Sequence, residues 1–191
     1  MTQVPELESA RLRLRGWKQA DVAAYAMILR DPAVSRNLGT GFRHAANRVA
    51  AAALGPLSDL EARRAVRTIH QHWDRHGFGD WAVELKASGK LIGRIGFVHQ
   101  ADWSIGPDRI EIGWALAPAE WGNGYAAEGA RVALEYGFGR LHLKRVISIT
   151  SPVNVRSRRV MERIGMRRQG EARWRGSDCV WYAIDRADRC A

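Results

Sequence analysis

From Arg11 to Trp17 (RLRLRGW) basic and apolar residues alternate, the period of a half-buried strand. The spacing lengthens to that of a helix over Ala20 to Leu29, and Asp31-Pro32 stops it. Residues 39–56, alanine-rich between glycines, read as a mobile segment with a short helix. Leu57 to His76 is a charged amphipathic helix: Leu60, Arg64, Arg67 and Gln71 alternate with Val66, Ile69 and Trp73, and Gly77 ends it. The period then falls to two. Trp81 to Lys86, Leu91 to Val98 and Arg109 to Leu116 predict three strands in an antiparallel meander, the first two joined by the turn Ala87-Ser88-Gly89-Lys90. A helix from Tyr125 to Gly139, a strand from Arg145 to Thr150, a helix from Asn154 to Ile164 and strands at Met166 to Ala172 and Cys179 to Asp185 complete the order. Strands grouped with helices at both ends imply a mixed α+β sheet in one domain, residues 1–191.

Composition narrows this modestly. With 46% hydrophobic and 26% charged residues, the chain lies in the range of globular proteins that bury a core. The N-terminal stretch has no apolar run after a basic segment, and no stretch approaches the ~20 apolar residues that span a bilayer, so a cytoplasmic location and no membrane partner are expected. Cys179 and Cys190 form neither a disulfide framework nor a metal-ligand spacing. His70, His72 and His76 share one helix but no carboxylate or cysteine completes a set, so no metal is expected. Net charge is +10, and residues 140–191 hold 13 Lys and Arg against 5 Asp and Glu, which favours an anionic partner: a phosphorylated cofactor, an acidic protein surface or nucleic acid.

The chemistry concentrates in EIGWALAPAEWGNGYAAEGARVALEYGF, Glu111 to Phe138. A strand ends in a short loop with Gly122 and Gly124, and a helix starts at once. Glycines allow close approach of the backbone, and the free amides of a helix start carry partial positive charge, so the loop is a candidate pyrophosphate cradle. Gly122 to Ala127 also satisfies the dinucleotide pattern G-x-G-x-x-G/A. That pattern belongs in a parallel strand-helix-strand unit with an acidic residue after the second strand, but Ser151-Pro152-Val153-Asn154 stands there and the preceding strand is part of a meander. A nicotinamide site is disfavoured on both counts.

WGNGYA (Trp121 to Ala126) after EIGWALAP (Glu111 to Pro118) resembles the acetyl-CoA motif of the GNAT acetyltransferases, and most resembles the subgroup that acetylates N-termini of ribosomal proteins. RLRLRGW, HGFGDWAVELKASGKLIGRIGF and ITSPVNVRSRRVMERIGM match in the same order, so the resemblance spans nearly the whole chain. It implies the GNAT fold, a mostly antiparallel twisted sheet of about seven strands with about four helices. It also implies acetyl-CoA as co-substrate and direct transfer of the acetyl group to a primary amine in a ternary complex. By the same resemblance, backbone groups of Trp114, Ala115, Leu116 and Ala117 pair with the pantetheine arm, the amides of Gly122, Asn123, Gly124, Tyr125, Ala126 and Ala127 hold the pyrophosphate, and Trp121 belongs to the same cofactor-binding loop. Asn154 contacts the pantetheine arm and Ser157 protonates the leaving thiolate.

Each assignment has a plainer counterpart. Asn154 and Ser157, spaced N-x-x-S at a helix start, also suit a simple N-cap. Glu111 projects from the strand face opposite Ile110 and Ile112 and is either the general base, acting through water, or a pairing carboxylate. Arg156, Arg158, Arg159 and Arg163 meet cofactor phosphates or form a solvated face. Trp73, Trp81 and Trp181 read as core. Trp121 stands where most of the family has Gln or Arg, and residues 39–56 look like an insertion or lid over the acceptor site. The acceptor is open: a protein N-terminus, whose amine at ~7.7 to 8.0 loses its proton more easily than lysine at ~10.4, or a small-molecule amine. A non-catalytic RNA- or ribosome-binding protein and a monomer or homodimer also remain open.

Overall fold

A computed structural model describes residues 3–36 and 59–189. Its centre is one sheet of eight strands, β1 (Leu7–Glu8), β2 (Leu12–Arg15), β3 (Asp80–Leu85), β4 (Leu91–His99), β5 (Ile110–Leu116), β6 (Arg145–Thr150), β7 (Arg167–Trp174) and β8 (Ser177–Asp185), in the order β1-β2-β3-β4-β5-β6-β8-β7. Every neighbouring pair is antiparallel except β5 and β6, which run parallel. Among the described residues five α-helices accompany it: α1 (Asp21–Arg30), α2 (Pro32–Ser35), α3 (Asp59–His76), α4 (Tyr125–Gly139) and α5 (Val155–Arg163). This is the expected mixed α+β architecture, with the meander β3-β4-β5 in place. The extra strand is the two-residue β1, too short to carry a period. The extra helix arises because Asp31 both ends α1 and caps α2, accepting a hydrogen bond from the Ala33 amide with Pro32 at the first helical position. The segment expected to be a lid, residues 39–56, lies outside the described residues.

β4 is buried on both faces. Ile95 and Phe97 lie under α4, which sits close because Gly129 and Gly137 have no side chain: a Cβ would come within 2.5 Å of Ile95 Cδ1 at the first and 2.7 Å of Phe97 Cζ at the second. On the other face Arg94 donates to both carboxylate oxygens of Asp80 at 2.8 and 2.9 Å. The alternation in RLRLRGW does not make the strand half-buried at Arg15. That side chain is 4% exposed, holding Asp21 at 2.7 and 2.9 Å and Glu84 at 2.8 Å, so charge pairing replaces solvent as its partner. Trp73 and Trp81 are core, as expected, packed edge to face. Trp181 is only partly buried and belongs to a smaller cluster in which Trp103 meets Trp174 and Trp181 edge-on. Among the described residues no helix is long and apolar enough to cross a membrane.

Candidate active site

β5 and β6 share one registered pair, Glu111 with Ile147. Past it the strands part, and side chains take over the ladder: Ser148 Oγ donates to the Ile112 carbonyl at 2.9 Å, and the Ile149 amide donates to Glu111 Oε1 at 3.3 Å. A cavity of about 990 Å³ opens at this gap, bounded by the end of β5, the starts of α4 and α5, and the β7–β8 hairpin. It brings together Glu111, Trp114, Ala115, Leu116, Trp121, Gly122, Gly124, Tyr125, Ala126, Ala127, Asn154 and Ser157. Two candidates lie outside the lining. Ala117 packs against the core, and Asn123 is exposed, its Nδ2 donating to the Glu120 carbonyl at 3.3 Å.

The start of α4 has the features of an anion site. Gly124 is its N-cap in the left-handed region (φ 81°), and no side chain caps the first turn. A Cβ on Gly122 would meet nothing within 4 Å, and one on Gly124 only Arg11 at 3.7 Å, so space lies open over the loop. Acetyl-CoA, the co-substrate that the resemblance implies, carries a pyrophosphate, which suits unsatisfied amides at a helix start. The loop is braced from both sides. The Trp121 indole donates to the Leu116 carbonyl at 2.9 Å, with the Arg156 guanidinium over its ring at 4.8 Å. From the N-terminal segment Arg11 donates to the Asn123 carbonyl at 3.0 Å and to Glu128 Oε2 at 2.7 Å, and it lies over the Tyr125 ring at 4.5 Å. Burial pushes the Glu128 carboxyl up, but hydrogen bonds from Ser9 and Arg11 outweigh it and hold the group below the ordinary carboxylate range. Neither Arg11 nor Glu128 carries a local sequence signal for this role.

At α5, Asn154 is the N-cap, accepting from the Ser157 amide at 3.2 Å and donating to Thr150 Oγ1 at 3.0 Å. Ser157 lines the cavity, and its hydroxyl bonds to none of the described residues. Arg156, Arg159 and Arg163 line the cavity, whereas Arg158 turns to the Tyr182 hydroxyl and the Pro152 carbonyl.

At the other end of the cavity Glu111 accepts a short hydrogen bond from Gln100 Nε2 besides the one from Ile149. Burial pushes its carboxyl up. The two hydrogen bonds and the charges of Arg94 and Arg175 pull it back, and the balance leaves it at about 7, against an ordinary 4.5. His72 also lines the cavity, but its Nε2 accepts from the His99 amide at 3.0 Å, so Nδ1 is the donor to the Phe78 carbonyl at 2.7 Å, and burial pushes its pKa down. With both nitrogens engaged, the imidazole is a fixed neutral wall. Among the described residues no group of three or more His, Cys, Asp or Glu is placed to hold a metal.

Comparison with known proteins agrees with this geometry. The profile of the acetyltransferase (GNAT) domain matches residues 11–167. An acetyltransferase of known structure from Agrobacterium tumefaciens is 30% identical, with 95% of each chain covered and a TM-score of 0.74. The uncharacterized N-acetyltransferase YnaD of Bacillus subtilis is 43% identical over 88 residues, 46% of this chain and 49% of its own. RimL, a ribosomal L7/L12 alpha-N-protein acetyltransferase solved with coenzyme A, shares the fold at a TM-score of 0.72 over 95% of this chain and 98% of its own, with 18% identity. The splayed strands, the uncapped helix start and the profile match all lead to one conclusion: the chain belongs to the GNAT acetyltransferase family and is an N-acetyltransferase.

Proposed function

We propose that the chain acetylates an α-amine, a protein or peptide N-terminus, with Glu111 as general base and Ser157 as the acid that serves the leaving thiolate. Acetyl-CoA, when bound, supplies an acetyl group already activated as a thioester. The amides of Gly122 to Ala127 hold its pyrophosphate, with Trp121, Asn123, Arg11 and Glu128 keeping the loop in shape, and Arg156, Arg159 and Arg163 add positive charge beside it. Backbone groups of Trp114 to Leu116, at the end of β5 that lines the cavity, pair with the pantetheine arm, whereas the Ala117 amide is taken by the Ile92 carbonyl, and Asn154 orders the helix start that carries Ser157. Glu111 takes the amine proton, directly or through one water.

The observation that carries this reading is the Glu111 carboxyl, held at about 7 in the gap between β5 and β6. A base at that value matches an α-amine at ~7.7 to 8.0, whereas a lysine at ~10.4 would give up its proton to it ~250- to 500-fold less readily. The excess positive charge of residues 140–191 favours acidic peptides over cationic small amines. The name of RimL fits this acceptor class, although that protein supports the fold alone. The test is a panel read by mass spectrometry: peptides with acidic N-terminal segments, the same peptides with a blocked N-terminus and an internal lysine, and spermidine. Acetylation confined to free N-termini is expected. A higher kcat/KM for spermidine or the internal lysine would overturn the acceptor assignment.

A further inference from the structure

The β7–β8 hairpin reaches back to the loop between β4 and β5, and this contact ends at the proposed base. At the hairpin tip Arg175, with φ at 50°, donates to both carboxylate oxygens of Asp102 at 2.6 and 2.7 Å. It also lies over the Trp174 ring at 4.0 Å and donates through Nη2 to Gln100 Oε1 at 3.2 Å. Gln100 is 5% exposed and passes its amide on to Glu111 Oε2. Only one orientation of that amide serves both neighbours, because a guanidinium can only donate and a carboxylate only accept. Trp103, fully buried against Trp174 and Trp181, pins the loop to the hairpin from below. Gln100 is thus held by residues distant in sequence.

We infer that Gln100 is a positioning residue: its amide, held end-on between Arg175 and Glu111, fixes the rotamer of the base at the acceptor end of the cavity. Arg175 acts through it, so the hairpin tip sets the geometry and the basicity of Glu111 from outside the reacting atoms. This deepens the reading of Glu111 as base and rests on it. The charged and titratable groups facing Glu111 are Arg94 from β4, Arg175 from the hairpin and Cys179 from β8. The first two favour its ionised form, as does the Gln100 hydrogen bond.

The test follows the Glu111 carboxyl by carbon NMR in glutamate-labelled protein, with the signal assigned by its absence in Glu111→Gln, so no acceptor is required. The wild-type midpoint is expected near 7. Gln100→Leu keeps the side chain's size but removes the donor, and the midpoint rises by roughly half to one pH unit. Arg175→Met raises it in the Gln100 background, and the double variant moves it by less than the sum of the two, since part of the Arg175 effect runs through the Gln100 amide. A midpoint unmoved in folded Gln100→Leu, or fully additive shifts, would overturn the inference. If Gln100→Leu does not fold, an unmoved midpoint in Arg175→Met overturns it equally. Failure of the base reading looks different: Glu111→Gln would then acetylate at the wild-type rate, whatever the midpoints do.

Discussion

Removing the Glu111 carboxylate is expected to make the folded protein more stable at alkaline pH while abolishing most of its activity. In the native state the carboxyl titrates at about 7, and in the unfolded chain near the ordinary 4.5. Below 4.5 both states hold the proton and the site has no cost. As pH rises toward 7 the unfolded chain releases the proton first, so native stability falls, and above about 7 the loss is complete. Linkage puts the full loss near 3 kcal/mol, of which about 2 to 3 kcal/mol develops between pH 5 and pH 8.5. Glu111→Gln lacks this titration. Its amide also meets a donor, Gln100 or Ile149, that it cannot satisfy as a carboxylate does, which costs about 1 kcal/mol at every pH. Urea unfolding of both proteins at pH 5 and 8.5 separates the two effects. The variant should be equal to or less stable than wild type at pH 5 and more stable by about 1 to 2 kcal/mol at pH 8.5. A stability difference that does not change with pH would refute the raised titration and remove the basis for Glu111 as base.

Three other outcomes follow from the same contacts. Ser157→Ala should lower kcat by less than about tenfold near neutral pH, because a thiol of pKa ~8.5 leaves with little help; pre-steady-state acetyl transfer would reveal a larger role. Glu128→Gln weakens the brace on the phosphate loop, so calorimetry should show acetyl-CoA affinity falling several-fold. Because the Glu128 carboxyl is held low, its stabilisation, about 1 kcal/mol, is present above the ordinary carboxylate range and should vanish as pH drops through the folded value, erasing the difference between variant and wild type. Gly129→Leu drives a side chain into Ile95 and should destabilise the fold by about 1 to 3 kcal/mol in urea, with far-UV dichroism unchanged at 0 M.

Much of the architecture was legible in the chain because its signals are local. α4 and β6 have the bounds that periodicity and flanking glycines predict, Tyr125–Gly139 and Arg145–Thr150. The motif from Glu111 to Ala127 likewise places most of its residues around one cavity. What stayed hidden depends on partners far away in sequence. Arg15 reads as a solvent-facing position until Glu84, 69 residues on, is seen to hold it. Gln100 and Arg175 are separated by 75 residues and neither stands in a motif, so the network around Glu111 has no sequence signature. Trp181 shows the opposite error: tryptophan on a strand suggests core, but its place near the sheet edge beside β7 leaves it only partly buried. Asn154 has the capping role its spacing suggested, and it also lines the cavity.

The most direct test of the account is titration of acetyl-CoA into wild type and Gly124→Glu in a calorimeter. Gly124 has a positive φ and open space above it, so the variant bears local strain of about 1 to 2 kcal/mol but places its carboxylate over the amides that the pyrophosphate would use. Micromolar binding by wild type, lost in a variant whose urea transition remains cooperative, is the predicted result. Equal binding by both proteins would contradict the claim that the start of α4 holds the co-substrate.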